Sequence, residues 1–224
     1  MKQILFILTL GLLNCNSKTE KLVDHVTFHE SLDKKIKLHK LEKLFVIGDF
    51  DGNGKQDTIF QHNYSKLTKT EIEYSADPFK NEWDSVVKWF YEQVADLYLT
   101  INKGNVDTLH FGTVHGLYCL INIGDNNGDR KDEIALVIDY LDFSRVNSCK
   151  IYSLCKGKWA LLKQFGVHEG SFDFTTEKAP IFESITGYLE KLNNKWVYKD
   201  YSQEGYENQE DVGKMVILKL DGCK

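Results

Sequence analysis

Two short apolar runs, Leu44-Phe45-Val46-Ile47 and Leu120-Ile121-Asn122-Ile123, each lead into a turn rich in glycine and acid. Each turn is followed by a second apolar run, Thr58-Ile59-Phe60 in one case and Ile134-Ala135-Leu136-Val137-Ile138 in the other. Runs this short and this rich in β-branched residues predict strands on both sides of the turn. Leu41 to Tyr64 align without a gap on Leu117 to Tyr140, at a constant offset of 76 (125 − 49). Leu44/Leu120, Ile47/Ile123, Gly48/Gly124, Asp49/Asp125, Gly52/Gly128, Lys55/Lys131 and Tyr64/Tyr140 are identical, and an internal repeat explains this better than chance.

Between the two units the period changes. Trp83, Val86, Val87, Phe90, Val94 and Leu97 recur at helical spacing, which predicts one amphipathic helix near 81–94, with Asn81 as its cap and Asp84 in its first turn. Leu97 to Ile101 and Thr108 to Phe111 then read as strands joined through Asn102-Lys103-Gly104-Asn105. After the second unit, alternating runs predict hairpins from Cys149 to Phe165 and from Gly187 to Tyr201, and Val212 to Leu220 makes a last strand. Ser171 to Ile185 carries no clear pattern, and Glu204 to Asp211 reads as an acidic loop. The fold class this predicts is mainly β: antiparallel hairpins with two strand–loop–strand units, arranged as a partial propeller or sandwich, plus the inserted helix. Residues 41–224 form one such domain.

The turns carry the candidate chemistry. In the first, Asp49, Asp51, Asn53 and Asp57 fall at positions one, three, five and nine, Lys55 offers a backbone carbonyl, and Gly54 supplies the bend. In the second, Asp125, Asn127, Asp129 and Glu133 hold the same positions with the Lys131 carbonyl. Calcium takes six to eight oxygen ligands in a loose geometry, so each loop nearly fills its shell. Arg130 stands where the first loop has Gly54, so the second site is expected to be weaker or differently bent. A turn that holds no metal is the alternative, because Asp, Asn and Gly favour turns for their own reasons. An EF-hand is excluded: it needs a bidentate Glu at position twelve and flanking helices, whereas that position is Phe60 or Leu136 between strands.

The pattern Gly-Asp-x-Asx-Gly-Asx-Gly-x-x-Asp over Gly48 to Asp57, and less fully over Gly124 to Glu133, resembles the FG-GAP or VCBS type of calcium-loop repeat. The resemblance covers two stretches of the chain. It implies calcium held structurally in each loop and implies no reaction. Strand, turn and a Lys-Trp pair, as in Lys158-Trp159 and Lys195-Trp196, is similar to lipid-anchored calcium-loop proteins of Bacteroidetes-like bacteria.

Residues 1–14 have the shape of a secretory signal, with an apolar run from Ile4 to Leu13. Leu12-Leu13-Asn14-Cys15 resembles a bacterial lipobox, with Asn14 departing from the usual small residue, and implies lipidation of Cys15 followed by a polar tether over 15–40. Export to the bacterial envelope and anchoring to the outer membrane are the expectations. Cys119, Cys149, Cys155 and Cys223 remain, an even number that allows three disulfide connectivities, with buried free thiols as the alternative. The net charge of −5, from 28 basic and 33 acidic residues without a basic block, argues against a nucleic-acid partner.

No Gly-x-Ser-x-Gly elbow, phosphate loop or His-Glu-x-x-His pair occurs. His110, His115 and Cys119, or the carboxylates Asp139 and Asp142, are the nearest to a catalytic set, and surface or core histidines and acidic loop residues beside a calcium site explain them more simply. The expectation is a lipid-anchored, non-catalytic binding or structural module whose partner is an envelope protein or glycan. An envelope hydrolase acting on carbohydrate or peptide is the alternative.

Overall fold

A computed structural model of the chain describes residues 35–172, 183–201 and 214–223. The signal segment 1–14, Cys15, most of the tether and the acidic loop at Glu204 to Asp211 lie outside the described residues. Early elements are strands β1 (Leu38–Lys40), β2 (Phe45–Gly48), β3 (Asp57–Ser65), β4 (Thr70–Glu71) and β5 (Tyr74–Ala76), then helix α1 (Trp83–Glu92). Strands β6 (Ala95–Ile101), β7 (Leu109–Gly112), β8 (Gly116–Gly124), β9 (Glu133–Asp139), β10 (Val146–Cys155) and β11 (Lys158–His168) follow. Strands β12 (Leu189–Leu192), β13 (Lys195–Tyr198) and β14 (Val216–Ile217) come last. The fold is mainly β, every pairing is antiparallel, and among the described residues no sheet closes into a barrel.

The sheets form layers around β9. One sheet runs β2-β3-β6-β7, with β4 added to β3, and a second runs β11-β10-β9-β8. Every residue of β9 except Asp139 is buried, as its almost unbroken apolar run requires of a strand covered on both faces. Its alternate residues face opposite ways. Ala135 and Val137 pack with Ile121, Ile151 and Phe165 against Leu189, Trp196 and Leu218 of the β12-β13-β14 side. Ile134, Leu136 and Ile138 join Ile59, Leu97 and Leu99 of the first sheet in a second core. A side chain such as Leu136, fully buried, contributes about 1.5–3 kcal/mol by its transfer from water.

Some boundaries differ from the sequence expectation. Order begins before 41: β1 pairs with β5, Leu38 opposite Ala76, so the end of the expected tether is a strand. The helix is present, with Val86 and Phe90 buried, but Glu82 sits at its N-cap without a side-chain bond. Asn81 is not the cap; its amide donates to the carbonyls of Lys37 and Asp77, and its Oδ1 accepts from the Lys37 amide. These bonds to β1's approach hold it out of the helix. Of the last strand expected over Val212 to Leu220, Val212 and Gly213 lie outside the described residues, and among the rest Val216–Ile217 is strand.

The four described cysteines divide into one disulfide, Cys155–Cys223, and two buried thiols, Cys119 and Cys149. Cys119 and Cys149 flank Val137 from β8 and β10. Two strand spacings separate them, about 9–10 Å, which exceeds the reach of a disulfide.

Candidate metal centre

Each acidic loop closes a hairpin at the same register. Gly48 lies opposite Asp57 between β2 and β3, and Gly124 lies opposite Glu133 between β8 and β9. Inside the first turn Asp49 accepts hydrogen bonds from the amides of Gly52, Asn53 and Gly54, and in the second Asp125 accepts from Gly128 and Arg130. Asp51 Oδ1 accepts from the Asn53 amide as Asn127 Oδ1 does from Asp129. The amides of Lys55 and Lys131 donate to Asn53 and Asp129 in turn. Side chains thus wrap their own turn in matching patterns. Gly54 has φ +80° and Arg130 takes the same left-handed conformation at +70°, which costs the arginine roughly 1 kcal/mol.

The wrapping brings carboxylates together. Oxygens of Asp49, Asp51 and Asp57 lie within 4.8 Å of one another, as do those of Asp125, Asp129 and Glu133, and either group could hold a metal ion. The closing residues are deepest, because each begins a core strand: Asp57 and Glu133 are both 0% exposed. Asp57 Oδ2 and Asp129 Oδ2 are buried and have no hydrogen-bond partner among the described residues. A buried, unpaired carboxylate oxygen is costly, so these sites suit a cation. Burial, then the charges of Asp129 and Asp125, push the Glu133 carboxyl up to about 7, against the amide of Asn126 that stabilises its anion. The two asparagines stand less directly in the cluster: the Asn53 amide donates to Asp51, and the Asn127 amide to Glu133.

The first loop already has a cation beside it. Lys103, in the turn between β6 and β7, places its ammonium 2.6 Å from Asp57 Oδ1 and against Asp51 Oδ2. That bond holds the Asp51 carboxyl below its ordinary range. In the second loop Lys131 turns its ammonium away to the Leu154 carbonyl, and Arg130 is exposed.

The two loops lie side by side. The Asp49 amide donates to Asp132 Oδ2 at 3.0 Å, and the Asp132 amide donates to the Asp49 carbonyl at 2.9 Å. Asn122 donates to both the Ile47 carbonyl and Asp132. A Cβ added at Gly48 would sit 2.5 Å from Asp132 Oδ2, so the bare backbone of Gly48 permits this approach. In the sequence Asn122 reads only as a strand residue, and Asp132 and Lys103 carry no mark of a site. Local spacing carries no sign of them, since their partners are some fifty to eighty residues away.

The other sequence candidates fall in separate places. His110 bonds Asp96, His115 bonds Asp139, and Cys119 lies in the core with burial pushing its thiol up to about 12. A thiol held neutral in this way is no nucleophile. No helix of the described residues is long and apolar enough to cross a membrane. Compared with protein-family models, characterised proteins and solved structures, the chain matches none.

Proposed function

We propose that the protein is a calcium-stabilised, non-catalytic binding or structural module of a bacterial envelope, tethered by lipid on Cys15 and belonging with the FG-GAP or VCBS type of repeat. The observation that carries the calcium reading is the buried Asp57, whose Oδ2 is unpaired where two further carboxylates converge. The donors are all oxygen, which suits a hard cation, and neither cluster holds a cysteine to offer a thiolate. Calcium among them offsets the repulsion of three carboxylates per loop. Because Asp132 joins the two turns, an ion in either also steadies the other's neighbour.

Extracellular sites of this kind bind calcium at about 10⁻⁴ to 10⁻³ M, so millimolar calcium stabilises by on the order of 1 kcal/mol per site. Thermal melting with calcium and then with a chelator tests it. The midpoint is expected to fall on chelation; an unchanged midpoint would overturn the reading. The anchor is tested separately, by incorporation of labelled palmitate into the native chain and its loss in Cys15→Ser.

A hydrolase is the second reading, supported by one observation: Asp139, Asp142 and Glu169 line a common pocket away from the loops. Turnover of an oligosaccharide or peptide lost in both Asp139→Asn and Asp142→Asn would favour it over the module.

A further inference from the structure

The pocket just named lies at the opposite end of β8 and β9 from the second acidic loop. Asp139 is six residues along β9 from Glu133, about 20 Å away. The cavity has a volume of about 420 Å³, within the range of small-molecule sites. Four rings line it: Trp83, Tyr118, Tyr140 and Phe143. Phe143 is 81% exposed, on the loop between β9 and β10, and packing of the core does not account for it. Its ring meets Trp83 at 6.3 Å and 62°, so the two form a corner and do not stack.

The charge is one-sided. Of the residues lining the pocket three are acidic, Asp139, Asp142 and Glu169, and one is basic, Arg145, whose guanidinium lies 3.6 Å from Glu169. Lys150, nearby, is engaged with the Tyr140 hydroxyl. Asp139 is fixed by His115 Nδ1 and by the Tyr118 hydroxyl. Burial and then the charge of Asp139, with smaller contributions from Glu169 and Asp142, push that hydroxyl up and hold it protonated. Asp142 is exposed, and its Oδ1 accepts only from the backbone amide of Ser144 among the described residues.

We propose that this pocket binds a small organic cation, its ammonium group set in the corner of Trp83 and Phe143 with Asp142 as counter-charge. Aromatic faces attract a cation through their quadrupole, at exposed positions such as Phe143 as well as at half-buried ones such as Trp83. An anion would meet three carboxylates against one arginine, and a neutral polyol would leave the charge unused. The inference does not rest on the calcium reading.

Tetramethylammonium is the simplest probe, with neopentyl alcohol as its uncharged isostere and cellobiose as a neutral polyol. The full chain is titrated with each at saturating calcium, followed by calorimetry and tryptophan fluorescence. Tetramethylammonium is expected to bind at least about tenfold more tightly than either neutral probe and to weaken with added salt. Phe143→Ala and Asp142→Asn, both at exposed positions, should each weaken it about fivefold without moving the melting midpoint. Absence of binding, equal binding of a neutral probe, or binding that neither substitution changes would overturn the proposal.

Discussion

In the first loop the ammonium of Lys103 stands where a divalent ion would have to enter, 2.6 Å from the buried Asp57. A metal bound there would compete with the lysine for the same oxygens. Lys103→Met is expected to raise the calcium affinity of that loop about fivefold, measured by calorimetric titration, because the competing charge is gone while the apolar stem remains. Unchanged or weaker binding would place the ion elsewhere. The sequence displayed the ligand candidates themselves, since oxygens spaced by two along one turn need only local geometry: Asp49, Asp51 and Asp57 do converge, and so do Asp125, Asp129 and Glu133. Lys103, Asp132 and Asn122 were illegible for the opposite reason. Each acts across strands that only the tertiary fold brings together.

At the scale of elements, two links between strands make separate predictions. Asp96 on β6 receives Lys66 and His110. Burial would raise its carboxyl, but the bonds from Lys66 and His110 outweigh this and hold it below its ordinary range. A carboxyl lowered on folding contributes stability above about pH 4 that is lost as pH falls through the folded value. Asp96→Asn should therefore flatten acid unfolding below about pH 4, followed by circular dichroism. The disulfide Cys155–Cys223 ties the end of β10 to the chain's last residues across a sequence separation of 68. Its reduction is expected to cost about 4 kcal/mol by the chain-entropy model, read from urea unfolding with and without reductant. Cys119 and Cys149, buried and with both thiols pushed up by that burial, should label only after unfolding. The hairpins and the helix were legible because period two and period 3.6 are properties of short windows. The sequence alone points to a cap at Asn81 and a tether in place of β1, because each is settled by a partner distant in sequence, Lys37 in one case and β5 in the other. Which cysteines pair was likewise undetermined until the strands were placed.

For the molecule as a whole, the question is why two acidic turns sit against each other at one end of two stacked sheets. Strand β9 begins with Glu133, a loop residue, and continues as the strand on which both cores are built. Repulsion in the loop is thus felt directly by the centre of the fold, and an ion that relieves it stabilises more than a surface turn. Composition and period revealed a mainly β chain; they could not reveal that β9 is shared by two cores, because an apolar run reads the same whether one face or both are covered. The claim that everything else depends on is that the loops take up calcium. Calorimetric counting of calcium bound to the folded chain tests it most directly: the account predicts two ions per wild-type chain and one in Asp57→Asn, and a wild-type chain that binds none would contradict it.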